Sequence, residues 1–251
     1  MPTPPIGRIA LLVCLLGTAA PAGEEGPYGD IGDLKLARPE DKADVAVMLP
    51  PPGAIVLFNG KDLDGWVKAK DGSPASWKLV DDGAMQVQGG DIMTRRTFGG
   101  HFRLHVEFRV PYMPKAEGQG RGNSGVYLQG RYEVQILDSY GLQSRDNDCG
   151  GIYKVATPRV NACKAPTVWQ AYDIDFHAPG FEGGRKVEPA RIGVRQNGVE
   201  IHQNVSIPID NTVAGMGGDP SRPGPIMVQD HGNPVQYRNI WLVPLDPKSS
   251  S

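Results

Sequence analysis

Residues 102–110 read FRLHVEFRV, and no other stretch limits the fold so tightly. Phe102, Leu104, Val106, Phe108 and Val110 fall on one side of an extended chain. Arg103, His105, Glu107 and Arg109 fall on the other. A period of two sustained this long is a β-strand with one face in a core and the other turned to water or a ligand. The runs AIVLF near Ile55, AMQVQ near Met85, VWQAYDIDFHA near Tyr172 and VQYRNIWLVPL near Ile240 also read as strands. In RIGVRQNGVEIH, Asn197-Gly198 supplies the two positive-φ residues of a tight hairpin turn. No segment after residue 54 has a helical period, and the 33 glycines and 23 prolines are scattered among short apolar runs. The expected class is all-β, an antiparallel β-sandwich.

The ends read differently. Arg8 precedes the apolar run IALLVCLLGTAA, and Ala20-Pro21-Ala22 offers a small-residue cleavage site, so residues 1–22 read as a secretory signal peptide. The run is short for a membrane span, so no stable span is expected in the mature form. A lipoprotein at Cys14 is disfavoured, because Val13 stands where a small residue is needed. The expected location is secreted or periplasmic. Residues 23–53, charged and ending in LPPPG, read as an N-terminal tail or linker, with a short helical piece in PEDKADVAVML. The domain then spans 54–247, with a short tail at 248–251. That span exceeds an immunoglobulin domain of about 100 residues and matches jelly-roll, lectin and glucanase sandwiches, whose curved larger sheet holds the ligand, a likeness of fold only. A formal charge of −2 gives no electrostatic case for nucleic acid. Loss of the leader would leave Cys149 and Cys163 as an even pair in an oxidising compartment, and a disulfide is the expected reading, worth roughly 3 kcal/mol for a loop of this length.

Two polar clusters are candidates for chemistry. In RYEVQILD, Glu133 and Gln135 share a face opposite Val134 and Ile136. Together they can grip sugar hydroxyls, and the carboxylate can move a proton; a merely solvated sheet gives the same pattern. In VQDHGNPVQYRNIWL, His231 on a polar turn is a reasonable acid or base, although DHGNP could equally cap backbone groups. Arg238 on the following strand, or Arg95, could hold a carbonyl oxygen as charge develops on it. The tryptophans could stack on a sugar ring, with core packing the commoner fate.

Taken in order, LFNGKDLDGW, FRLHVEFRV, GNSGVYLQGRYEVQILDS, CGGIYKVATP, WQAYDIDF, QNGVEIHQNV and DHGNPVQYRNIWLVPL resemble the 3-keto-disaccharide hydrolase domain family, over about Ala54 to Leu245. The resemblance implies a concanavalin A-like lectin/glucanase sandwich acting on a small carbohydrate already oxidised at C3. A C3 ketone acidifies the C2 hydrogen; a base removes it, the C1 substituent leaves by β-elimination, and water adds back. Carried over by position, the family motifs fall on Asn123, Ser124, Glu133, Gln135, Asp138, His231, Asn233 and Arg238. The roles that follow are Glu133 or His231 as base with the other as acid, Arg238 with Arg95 at the enolate oxygen, and Gln135 and Asn123 on hydroxyls. No cofactor is assigned; Glu133, Asp138 and His231 could serve a divalent cation, but no spacing argues for one. A regular strand would point Asp138 away from Glu133, to cap the turn at Ser139-Tyr140-Gly141. A non-catalytic carbohydrate-binding module and an envelope structural domain remain as alternatives. Tryptophan platforms would favour the first, and Glu133 locked in a salt bridge the second.

Overall fold

The computed structural model describes Met1 and residues 26–246. The signal-peptide stretch beyond Met1 and the C-terminal tail lie outside the described residues. Within them the chain is all-β. In order, the strands are β1 (Ile55–Phe58), β2 (Trp66–Lys68), β3 (Lys78–Val80), β4 (Ala84–Gln86) and β5 (Ile92–Phe98). Then come β6 (His101–Arg109), β7 (Ser124–Leu128), β8 (Tyr132–Ile136), β9 (Gln170–His177) and β10 (Gly180–Glu182). The last are β11 (Arg185–Glu188), β12 (Ala190–Gln196), β13 (Val199–Ile207), β14 (Gly224–Val228) and β15 (Gln236–Pro244).

The larger sheet runs β13-β12-β9-β6-β15-β4-β3, with β1 also on β15; the smaller runs β2-β5-β14-β7-β8. Every pairing within them is antiparallel. The two sheets pack face to face as the expected sandwich. β6 supplies Phe102, Leu104, Val106 and Phe108 to the core, each fully buried. β9 adds Tyr172, Ile174 and Phe176, and β8 answers from the other sheet with Tyr132, Val134 and Ile136. Each such side chain contributes about 1.5–3 kcal/mol by leaving water. Truncating one, as in Leu104→Ala, would cost about 2–5 kcal/mol through the cavity left behind. The β12–β13 turn takes the predicted form, with Asn197 at φ 54° and Gly198 at φ 81°.

Polar bonds fasten the layers together. The Tyr237 and Ser124 hydroxyls meet at 2.5 Å between the sheets, and Ser124 Oγ also donates to the Gln229 carbonyl. The Tyr172 hydroxyl donates to the Gln135 carbonyl at 2.6 Å. Trp66 and Trp77 are core residues whose ring N–H groups donate to the Leu57 and Gly90 carbonyls.

Two expectations are altered. Cys149 and Cys163 are free and buried, not bridged. The Gln196 amide lies 3.4 and 3.5 Å from the two sulfurs, and the Tyr172 hydroxyl 3.1 Å from Cys149 Sγ, so the reduced pair has polar partners inside the core. The stretch 26–53 has one short 3-10 turn, Pro39–Lys42, but it is laid along the body as a strap. Ile31 packs with Ala165 and Val168, and the Tyr28 hydroxyl donates to the Pro234 carbonyl. Val45 N–H donates to the Trp169 carbonyl, and the Met48 carbonyl accepts from Asn239 and Trp241. The strap therefore covers the outer face of β6 and β15. That explains why His105 and Glu107, on the polar side of the strand alternation, are buried. No helix among the described residues is long and apolar enough to cross a membrane.

Candidate functional site

Alternation along β7 and β8 sends Val126, Leu128, Tyr132, Val134 and Ile136 into the core. Gly125, Tyr127, Glu133 and Gln135 therefore point out of the smaller sheet. Register makes Tyr127 the direct partner of Glu133 and Gly125 the partner of Gln135. Glu133 is only 2% exposed. Its backbone N–H donates to Thr212 Oγ1 and its carbonyl accepts from Tyr153 N–H, which pins the strand from both sides. The carboxyl group lies over Gly125: a Cβ there would sit 2.6 Å from Glu133 Oε1 and 2.9 Å from Tyr127 Cε2. Only glycine leaves that space.

Electrostatics set Glu133 apart. Burial raises its pKa to about 7; the hydrogen bond from the Tyr127 hydroxyl opposes this, and the negative charge of Asp91 adds to it. Among the described ion pairs none includes Glu133. A carboxyl that is neither permanently charged nor permanently neutral near pH 7 suits proton transfer in both directions. The Tyr127 hydroxyl also accepts from Gln229 Nε2 at 2.9 Å, and Gln135 Nε2 donates to Gln119 Oε1 at 2.9 Å. The outer face around Glu133 is thus a run of amides about one acid and one phenol.

His231 is exposed on its turn. Beside its turn lies Asp91, whose carboxyl is raised by burial. Asp91 accepts from Asp230 N–H at 2.7 Å, and Asp230 in turn accepts from Gly90 N–H at 2.7 Å, which fixes the turn against the start of β5. Asn123 and Asn233 brace the same end: Asn123 N–H donates to Asn233 Oδ1, and Asn123 Nδ2 to the Gln119 carbonyl.

Other predicted residues go elsewhere. Ser124 faces the core, bonded as described above. Arg238 projects from the outer face of the larger sheet, the opposite side of the sandwich, where its Nε is 2.6 Å from Glu107 Oε2 and its guanidinium lies 4.2 Å from the Trp169 ring centre. Arg95 is on β5, three strands from Glu133, or about 14 Å at usual strand spacing; its Nε donates to the Asp64 carbonyl. Asp138 pairs with Arg121 at 3.2 Å and caps Tyr140 N–H at 3.3 Å, the capping expected from the strand's phase. Committed in this way, Asp138 does not gather with Glu133 and His231, so these three do not fit a shared cation. The four tryptophans are all buried, each 4% exposed or less.

Sequence reasoning missed Tyr127, Gln229 and Asp91. Tyr127 had a signal, since it is two residues from Gly125 and in register with Glu133; Asp91 had none, because only the fold brings it near. A groove of about 820 Å³ opens instead on the larger sheet, lined among others by Met48, Arg103, Asp175, His177 and Trp241.

The family profile described as 3-keto-alpha-glucoside-1,2-lyase-like domain matches residues 53–243. Among solved structures, a candidate glycosyl hydrolase from Parabacteroides distasonis ATCC 8503 is 39% identical, with a TM-score of 0.68 over 78% of this chain and 85% of its own. A second candidate glycosyl hydrolase from that organism, at 19% identity, shares the fold with a TM-score of 0.54 over 77% of this chain and 95% of its own. No curated protein matches the chain. With about three quarters of its length matched, the chain belongs to the 3-keto-alpha-glucoside-1,2-lyase-like domain family, the 3-keto-disaccharide hydrolase domains.

Proposed function

We propose that the protein is a carbohydrate-active enzyme that cleaves the glycosidic bond of a 3-keto-glycoside, with Glu133 moving the proton. The observation that carries this is a buried carboxyl poised at about 7, in no ion pair among the described residues, on a sheet face of amides. In the ionised form Glu133 takes the C2 proton. The C–H electron pair moves into the C2–C3 bond, and the C3 oxygen becomes an enolate oxygen. The enolate re-forms the ketone, a C1–C2 double bond forms, and the C1–O bond breaks with its electrons on the leaving oxygen, which receives a proton. Water then adds across the C1–C2 bond. The sum is one water consumed and two free sugars, or one sugar and an alcohol, released.

Neutral amides such as Gln135 and Gln229 orient the sugar. His231, on the turn held against the start of β5 by Asp91, serves the leaving group. Arg238 is committed to Glu107 on the other sheet, so the enolate oxygen draws on donors of the smaller sheet. The reading of residues 1–22 places the reaction outside the cytoplasm, and N-terminal sequencing of the exported protein should begin at Gly23.

The test is turnover of 3-keto-trehalose and 3-keto-sucrose beside their unoxidised parents, with the wild type and Glu133→Gln. Cleavage of the keto sugars alone, lost in the variant, is expected. Equal cleavage by both proteins would remove Glu133 from the chemistry, and cleavage of the parents would refute the elimination route.

A further inference from the structure

A second cluster of chemistry-bearing side chains lies on the outer face of the larger sheet. His101 on β6 is directly opposite His177 on β9, and Asp175 precedes His177 by two residues, on the same face. The imidazoles stack with centroids 3.6 Å apart and planes 21° from parallel. Both turn Nε2 toward one atom: Asp175 Oδ1 is 3.0 Å from His101 Nε2 and 3.3 Å from His177 Nε2. The three ligand atoms all lie within 4.8 Å of one another.

The two distances to Asp175 Oδ1 are those of neighbouring donors in a first coordination shell. Two donors each about 2.0–2.1 Å from an ion are roughly 2.9 Å apart at a right angle and roughly 3.3 Å apart at the tetrahedral angle. The other carboxylate oxygen, Oδ2, lies 3.8 Å from Arg103 Nη2, an exposed ion pair, so Oδ1 is the oxygen turned to the histidines. Two adjacent, hydrogen-bonded strands carry all three groups, so little ordering is left for a cation to impose. Asp175 and His177 also line the 820 Å³ groove, together with Arg191 and Arg103.

We propose that His101, Asp175 and His177 form a site for a divalent transition metal, with open coordination positions toward the groove. Two imidazoles and one carboxylate oxygen select a borderline ion, zinc first, over magnesium or calcium, which want an all-oxygen shell. Three protein ligands leave room for water or for an oxygen ligand entering along the groove. The site lies on the sheet opposite Glu133 and does not depend on the 3-keto chemistry.

Calorimetric titration of the untagged protein with Zn²⁺, and the visible absorption of Co²⁺ in its place, test it. One ion per chain is expected in the wild type. His101→Ala, His177→Gln and Asp175→Asn should each weaken binding at least about tenfold and abolish the Co²⁺ bands, with an unchanged circular dichroism spectrum. Partly exposed His177 is the safest of these to change without unfolding the protein. Glu133→Gln and His231→Ala should bind Zn²⁺ as the wild type does. The proposal is overturned by unchanged binding in the His101→Ala/His177→Gln double variant, by loss of binding in Glu133→Gln, or by no saturable binding up to millimolar Zn²⁺.

Discussion

Glu107 and Glu133 are both glutamates on strands, both turned away from the core, and both almost wholly removed from water. Their surroundings drive them in opposite directions. Burial raises both, but at Glu107 the hydrogen bonds from His105, Asn239 and Arg238 overcome it and hold the carboxyl below its ordinary range. At Glu133 a single tyrosine hydroxyl cannot, and the group rises to about 7. A buried charge that is fully partnered is architecture, whereas one left almost unpartnered is a cost borne for some other reason. The difference separates a face whose acid is fully partnered under the strap from the face on which the reaction is proposed.

The sharpest way to break this contrast is to neutralise each acid in turn. Glu133→Gln should lower turnover of a 3-keto-glycoside by about 10²–10⁴, the usual range for a lost general base, while the protein stays folded. Glu107→Gln should leave turnover per folded molecule within a few-fold. A strong turnover loss in Glu107→Gln would erase the distinction. Next in size is Arg238→Met. It removes the arginine from the buried Glu107 and leaves His105 and Asn239 as its side-chain partners; breaking one partner from a buried pair costs up to about 3–5 kcal/mol, to be read from denaturant unfolding. Turnover of the folded fraction should persist; its disappearance would return Arg238 to the chemistry.

The acids should also part company in pH dependence. The native protein holds the Glu133 proton more tightly than the unfolded chain does, so this group makes stability fall as pH rises from about 4.5 to about 7. The whole span amounts to about 3 kcal/mol at 1.36 kcal/mol per unit. Glu133→Gln should flatten that window and be the more stable protein above it. Glu107 has the opposite sign: its contribution is complete above the unfolded carboxyl range and is lost as pH falls through its lowered native value. His105 is raised: burial opposes its charge, but hydrogen bonds to Asp173 and Glu107 prevail. Its contribution is therefore complete below about 6.5 and lost as pH rises through the native value. An unfolding profile of Glu133→Gln parallel to the wild type between pH 4.5 and 7 would contradict the raised carboxyl.

The fold was legible because strand alternation is local. FRLHVEFRV states which side chains meet the core, and Asn197-Gly198 states where a hairpin turns. The faces away from the core were much less legible. His105 and Glu107 read as facing water or a ligand, and only the path of residues 26–53 shows that the chain itself covers them. That path is set by scattered backbone bonds to Trp169, Asn239 and Trp241, with no period to betray it. At the candidate site, Glu133 and Gln135 could be named from phase. Arg238 was misplaced because phase gives the face of a strand but not which sheet the strand joins. Asp91 needs the turn at 230–233 folded against β5 before its position means anything.

The smallest expected effect isolates placement from charge. Gly125 and Gly193 each sit in a strand, on the outer faces of the smaller and larger sheets, and neither has a positive φ. A Cβ at Gly193 meets nothing closer than 3.7 Å, so Gly193→Ala should leave turnover unchanged and shift stability by less than about 1 kcal/mol. At Gly125 the same methyl would come within 2.6 Å of Glu133 Oε1 and 2.9 Å of the Tyr127 ring. Both contacts are too short to persist, and because the Tyr127 hydroxyl bonds to Glu133 as well as to Gln229, the ring and the carboxyl shift together. The gain in backbone entropy offsets much of the steric cost, and net stability should change by only about 1 kcal/mol. Turnover should still fall, by up to about 10² for a displacement near 1 Å, with the charge and identity of Glu133 intact. If Gly125→Ala proves as silent as Gly193→Ala, then the position of the Glu133 carboxyl does not govern the reaction, and its raised pKa is a property of burial alone.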